Sequence, residues 1–99
     1  MATYLIIGRD HPGGLEKRLK VREAHIELGD KMVAEGKLTY GGAIVNEEGQ
    51  MAGSVLVGTF DSREELDAWL EVEPYVTGDV WANVEVSEFR VGPSFVSSD

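Results

Sequence analysis

The chain has 99 residues, of which 42% are hydrophobic and 27% charged, which is typical of one globular domain and excludes a disordered chain. It has no cysteine, so disulfides and thiolate metal sites are excluded. Its net charge of −9 disfavours nucleic acids and anionic membranes as partners, because both would be repelled.

The first half of the chain reads as a strand, a loop and a long helix. Residues 3–8 are β-branched and aromatic and predict a strand, and they follow Met1 without a signal-peptide pattern. Pro12 and a glycine pair then predict a loop. Residues 15–35 have helical periodicity and end at Gly36, a residue suited to a left-handed cap. No apolar run approaches the ~20 residues needed to span a bilayer, so we expect a cytoplasmic protein.

The second half predicts a hairpin, a short helix and a last strand. Residues 38–45 and 51–60 form the hairpin around the turn sequence Asn-Glu-Glu-Gly at 46–49. Ser62 and Glu65 have capping-box spacing and open a short helix that continues through Trp69, with Pro74 ending the region. Residues 80–91 alternate as a strand, and residues 93–99 are expected to form a mobile tail.

The order β-α-β-β-α-β predicts a ferredoxin-like α+β fold for a single domain at residues 1–92, with two helices on one face of a four-stranded antiparallel sheet. The strands are apolar on both faces: Tyr4 and Ile6 alternate with Leu5 and Ile7 in the first strand. Since two helices can cover only one face, we expect a homodimer formed through the other.

A ridge of polar residues crosses the predicted first helix. At 100° per residue, Leu15, Leu19, Ile26 and Val33 form one line that we interpret as the buried side, with Arg22 between them. Arg18, His25 and Gly29 lie along the same edge. Gly29 costs a helix about 1 kcal/mol relative to alanine but leaves room for a small cavity beside His25. Alternatively, the arginines extend past the helix edge and His25 only binds a carbonyl.

An acidic residue beside a proline offers a partner for His25. A histidine base needs an acceptor behind its other ring nitrogen, and Glu73 follows the second helix, on the same side of the sheet. Pro74 restricts Glu73 to an extended backbone and would orient its carboxylate. The alternative is a solvated glutamate before a helix-ending proline. His11, the other histidine, is interpreted as a solvated loop residue, and no pair has metal-ligand spacing.

Four runs in order along the chain resemble the YCII-like (YciI) family, which is related to the dimeric α/β-barrel proteins: I-I-G-R-D-H-P-G, R-L-K-V-R-E-A-H-I, M-A-G-S-V-L-V and E-P-Y-V. The resemblance implies a histidine–acid dyad at His25 and Glu73, oriented by Pro74. It also implies that Ser54 and either Arg18 or Arg22 orient a substrate. Two residues depart from the family pattern. The acid is glutamate instead of aspartate, and a usual Gly-Pro reads Gly41-Gly42.

Three functions are compatible with these residues. The first is a cofactor-independent enzyme that abstracts a proton from a small cyclic or aromatic substrate. The resemblance implies dehydrochlorination of a chlorinated hydroxyhydroquinone, in which His25 takes a phenolic proton and the developing quinone expels chloride. The second is a dimeric module that binds a small molecule or anion without converting it. The third is a purely structural dimerisation domain with a solvated dyad.

Overall fold

The computed structural model describes residues 1–95 and has the ferredoxin-like fold that the sequence predicts. Four strands and three helices follow one another along the chain: β1 Ala2–Asp10, α1 Leu15–Ala34, β2 Leu38–Val45, β3 Met51–Phe60, α2 Arg63–Val72, α3 Pro74–Thr77 and β4 Trp81–Glu88. The first strand is longer than predicted and the last is shorter. Gly36 follows the cap of α1 with a φ of +77°, as expected for a left-handed glycine.

The strands form one antiparallel sheet in the order β2-β3-β1-β4. Strand β1 lies in the middle and pairs with β3 and β4, so that Ile6 lies opposite Leu56 on one side and Val86 on the other. The two halves of the chain therefore meet at the centre of the sheet. This arrangement brings the end of β1 close to the start of β3, with Arg9 paired to Gly53.

The helix-covered face of the sheet holds two connected apolar clusters. The larger contains Ile6, Phe60 and Trp69, and the smaller contains Tyr75, Val80 and Trp81, with Leu56 packed against both. Trp69 and Trp81 are both 5% exposed, so both indoles belong to the core. These clusters supply most of the apolar burial that stabilises the domain.

The predicted buried line of α1 is wrong. Leu19, Ile26 and Val33 are 55%, 40% and 59% exposed, and Arg22 is exposed with them. The helix instead turns a different stripe inward, at spacings of three and four residues: Arg18, Val21, His25, Leu28 and Met32. That stripe is equally regular, but it carries a guanidinium and an imidazole. A prediction from hydrophobicity alone therefore takes the outward side of α1 for the buried one.

Pro74 begins a helix instead of ending a helical region. Glu73 has φ −66° and ψ 122°, the extended geometry expected before proline, and links α2 to the single turn of α3. Pro74 occupies the first turn of α3, where its missing N–H is not needed. The capping box at Ser62 is also altered: its hydroxyl accepts from the Glu65 N–H at 3.1 Å, but the Glu65 carboxylate binds the Asp61 N–H at 3.0 Å.

The face of the sheet opposite the helices is apolar at its centre. Leu5 pairs with Val57 and Ile7 with Val55, and all four side chains are partly exposed. Among residues 1–95, no helix has the length and hydrophobicity needed to cross a bilayer. Of the predicted mobile tail, Pro93–Phe95 form a 3₁₀ turn, and residues 96–99 lie outside the described part of the chain.

Candidate active site

An open cleft with a volume of about 300 Å³ lies between α1 and strands β2 and β3. This volume is at the lower end of the range for small-molecule sites. Five residues singled out in the sequence analysis as possible site residues line the cleft: Arg18, Arg22, His25, Gly29 and Ser54. Tyr75 and both glycines of β2, Gly41 and Gly42, line it as well. Glu73 and Pro74 lie behind it.

His25 and Glu73 are hydrogen-bonded through Nδ1 of the imidazole and Oε1 of the carboxylate. An ionised carboxylate can only accept, so with Glu73 ionised the proton would be on Nδ1, and Nε2 of the neutral ring would keep its lone pair. Glu73 is 1% exposed, whereas the His25 side chain is 18% exposed at the cleft. Nε2 has no protein hydrogen-bond partner among residues 1–95. Since His25 lines the cleft, Nε2 would be an unpartnered acceptor there in this tautomer.

The position of Glu73 is fixed by the backbone of the next helix. Its Oε1 atom also accepts a hydrogen bond from the Tyr75 N–H at 3.2 Å, as the N-cap of α3. The extended geometry imposed by Pro74 thus aims the carboxylate at two donors. The longer glutamate side chain reaches His25 without opening the cap, so the extra methylene does not prevent the contact.

Tyr75 packs against the imidazole and was not assigned a role from the sequence. The two rings are stacked with centroids 3.8 Å apart and an angle of 11° between their planes. Trp81 meets Tyr75 edge-on at 5.6 Å, and its own ring fits against Gly8, where a Cβ atom would lie 2.3 Å from the indole. Burial raises the pKa of the Tyr75 phenol, partly opposed by the positive charges of Arg18 and Arg22.

Arg18 forms a buried polar network that joins β1, α1 and β3. Its Nη1 atom donates to both oxygens of Asp10, at 2.8 and 3.1 Å. Its Nη2 atom donates to the Gly53 carbonyl at 2.9 Å and to the Ser54 hydroxyl at 2.7 Å. The Arg18 and Asp10 side chains are 3% and 4% exposed, and the guanidinium carbon lies 4.5 Å from the Tyr75 ring centroid.

Arg22 has the opposite environment. It is exposed, lines the cleft and has no ion-pair partner among residues 1–95. Arg22 lies on the apolar line of α1 as the sequence indicates, but that line faces outward, so the expectation that Arg22 is the more buried of the two arginines is wrong. The buried, paired arginine is Arg18. Arg22 is the residue whose charge is available at the cleft.

Two further expectations have clear outcomes. For Ser54, which the resemblance implies orients a substrate, the side chain faces α1 and its oxygen accepts from Arg18, so only its proton is free to donate. His11 is more than a solvated loop residue, since its Nε2 atom lies 3.0 Å from Asp79 in an exposed pair. Asp10 and Tyr75 lie inside two of the four matching runs, yet nothing in their spacing marked them as neighbours of His25 or Arg18.

A family model for the YCII-related domain matches residues 2–90. The chain belongs to the YCII-related domain family. Protein YciI from Escherichia coli O6:H1 is 34% identical over 93 residues, covering 88% of this chain and 95% of that protein. An uncharacterised protein from Haemophilus influenzae is 36% identical with the same coverage.

Solved structures with a similar fold include an enzyme. The 5-chloro-2-hydroxyhydroquinone dehydrochlorinase TftG from Burkholderia phenoliruptrix AC1100, in complex with 2,5-dihydroxybenzoquinone, matches with a TM-score of 0.83 and 25% identity. The match covers 93% of this chain and 97% of TftG. An antibiotic biosynthesis monooxygenase matches with a TM-score of 0.55 and 14% identity, which shows a shared fold alone. The structural neighbours of this chain therefore include an enzyme.

Proposed function

We propose that this YCII-related protein is a cofactor-independent acid–base enzyme acting on a small cyclic or aromatic molecule that carries an acidic hydroxyl. The observation that carries the proposal is the environment of His25. Its Nδ1 is bound to buried Glu73, its ring is stacked on Tyr75, and its Nε2 is unpartnered at a cleft. Such a ring can accept a proton at Nε2 while Glu73 stabilises the imidazolium that forms.

The neighbouring side chains divide into two roles. Arg22 supplies an unpaired positive charge for a phenolate-like oxygen. Arg18 makes four hydrogen bonds within the protein, so it positions Ser54, whose hydroxyl proton is available to a ligand. Pro74 orients Glu73 by the backbone geometry that it imposes.

The reaction class follows from the likeness to TftG. For a chlorinated hydroxyhydroquinone, one hydroxyl proton passes by way of His25 to the ring carbon that bears chlorine. A second hydroxyl proton then goes to His25 as the C–Cl bond breaks. The electron pair of that bond leaves with chloride and the ring becomes a quinone, so no external oxidant is needed. A well-placed base contributes roughly 10²- to 10⁴-fold to such a step.

The alternative is a module that binds a small anion without converting it. The unpaired charge of Arg22 at the cleft favours this function as much as it favours the enzyme. The two differ in their need for Glu73: an anion site gains from positive charge alone, whereas a base requires its carboxylate. Unchanged ligand affinity in Glu73→Gln, with no turnover by either protein, would identify the binding module.

We also propose that the protein forms a homodimer through the face of the sheet opposite the helices. Leu5, Ile7, Val55 and Val57 form an apolar patch there that no element of the described chain covers. A second copy of the same sheet would bury that patch against an identical one, as an isologous two-fold interface requires.

The enzyme proposal is tested by chloride release from chlorinated hydroquinones, with and without an added hydroxyl. We expect release by the wild-type protein and a loss of ~10²-fold or more in His25→Ala. The matched control is His11→Ala, which removes the other histidine from an exposed pair outside the cleft and should leave the rate unchanged. Equal rates in the two variants would contradict the proposal.

A further inference from the structure

Tyr75 is held at the cleft by contacts with several residues besides His25. Its ring is 1% exposed and is contacted by the imidazole of His25, the edge of Trp81 and the guanidinium of Arg18. Its backbone N–H is bound by Glu73. The side chain therefore has one orientation, and its polar end has one position.

The Tyr75 hydroxyl is a donor without a protein acceptor. No hydrogen bond joins it to any of residues 1–95, although the structure buries most of the residue. The fully buried polar atoms that lack partners are Arg18 Nε and the indole nitrogens of Trp69 and Trp81. The Tyr75 hydroxyl is not one of them, and Tyr75 lines the cleft.

The stacking geometry places this hydroxyl near the proposed base. The imidazole and phenol rings are stacked with centroids 3.8 Å apart, and both residues line the same cleft, so one small ligand could contact both side chains. Burial raises the pKa of the phenol, so the hydroxyl stays protonated and keeps its donor at neutral pH. The cleft thus offers a proton acceptor and a neutral proton donor side by side.

We propose that Tyr75 is a second substrate-contacting residue whose hydroxyl donates a hydrogen bond to a ring oxygen, while His25 binds a hydroxyl on the same ring. This inference rests on the proposed function and narrows its substrate class to small rings that carry two oxygens. Phenols with one oxygen can engage only one of the two groups. Discrimination follows because a bound phenol would cover the Tyr75 hydroxyl without offering it an acceptor, which weakens binding.

The experiment compares 1,4-hydroquinone with phenol, which differ by one hydroxyl, in NMR titrations of the ¹⁵N-labelled protein. Wild-type protein should bind hydroquinone roughly three- to tenfold more tightly than phenol, the effect of one hydrogen bond. Tyr75→Phe keeps the ring stacked on His25 and removes only the oxygen. It should abolish this preference while leaving phenol affinity and the His25 signals unchanged.

Tyr4→Phe is the matched control, because it removes the hydroxyl of a partly buried tyrosine that packs near Phe60 and does not line the cleft. It should retain the preference for hydroquinone. The inference is overturned if Tyr75→Phe retains that preference, if Tyr4→Phe loses it, or if wild-type protein binds both molecules equally, and in each case the proposed function survives. Wild-type protein that binds neither molecule overturns the inference together with the proposed function.

Discussion

Arg18 and Arg22 lie one turn apart on the same helix, yet Arg18 is 2% exposed and fully engaged with Asp10 and β3 while Arg22 is exposed and unpaired among residues 1–95. Removing one member of a buried ion pair leaves its partner uncompensated and costs roughly 3–5 kcal/mol. Substituting an exposed side chain that has no partner usually changes the free energy of unfolding by no more than about 0.5 kcal/mol.

Arg18→Met should therefore lower the free energy of unfolding by several kcal/mol, measured by urea denaturation, and Arg22→Met should change it little. The same substitution on the same helix makes each variant the control of the other. Arg22→Met should instead weaken binding of phenolic ligands, as expected for a cation at the cleft. A large loss of stability in Arg22→Met with ligand binding intact would make Arg22 a structural residue.

Gly29 destabilises α1 relative to alanine at the same position. It lies inside α1, and a Cβ added there would meet nothing within 4 Å. Gly29→Ala should raise the melting temperature by several degrees, because alanine is favoured by about 1 kcal/mol in a helix interior, and should narrow the cleft. Gly36→Ala is the matched control: it also meets open space, but its φ of +77° should make alanine destabilising.

Asp79 gives the folded protein a defined dependence on pH. The hydrogen bond from His11, together with one from Lys17, holds the pKa of the Asp79 carboxyl below its ordinary value of 3.8. A carboxyl whose pKa is lower in the folded state than in the unfolded state stabilises the folded state at pH values above 3.8. This contribution is lost as the pH falls through the folded-state pKa.

Asp79→Asn should remove this part of the acid sensitivity, which urea denaturation at a series of acidic pH values would measure. Asparagine suits the test because Asp79 has a φ of +56°, a conformation that asparagine tolerates well. An unchanged pH profile would show that the exposed pair contributes nothing to stability.

The open sheet face predicts the oligomeric state. Val57→Glu places a charge in the centre of the apolar patch and should convert a dimer into the 10.8 kDa monomer in analytical ultracentrifugation. Val72→Glu is the control, since Val72 is 62% exposed on α2, on the other side of the sheet. A wild-type protein that sediments as a monomer at micromolar concentration would contradict the homodimer.

The strands, the hairpin and both main helices could be predicted because each depends on local patterns: alternation in β1 and β3, a cap at Ser62 and a left-handed glycine at 36. The inward side of α1 could not, because apolar residues lie on its outer side and the inner stripe includes two site residues. A hydrophobic pattern predicts the buried side of a helix only if no polar side chain is buried with a hydrogen-bonding partner. In α1, Arg18 is hydrogen-bonded to Asp10 and His25 to Glu73, so polar residues lie on the inner side.

The pair of His25 and Glu73 was predictable because the match to the family placed both residues and Pro74 constrained the backbone. Tyr75 was not, since a ring stack between α1 and α3 has no sequence signature. The same holds for Asp10, whose contact with Arg18 depends on how the end of β1 approaches α1. Long-range polar contacts of this kind follow from the assembled sheet and not from spacing along the chain.

The central claim is that Glu73 holds His25 with Nδ1 protonated and Nε2 free at the cleft. The most direct measurement is the ¹⁵N NMR spectrum of the neutral imidazole, with His11→Gln used to assign the two histidines. The account predicts a proton on Nδ1 and an unprotonated Nε2 in the wild-type protein, and loss of this fixed tautomer in Glu73→Gln. A wild-type His25 with its proton on Nε2, or a spectrum that does not respond to Glu73→Gln, would contradict it.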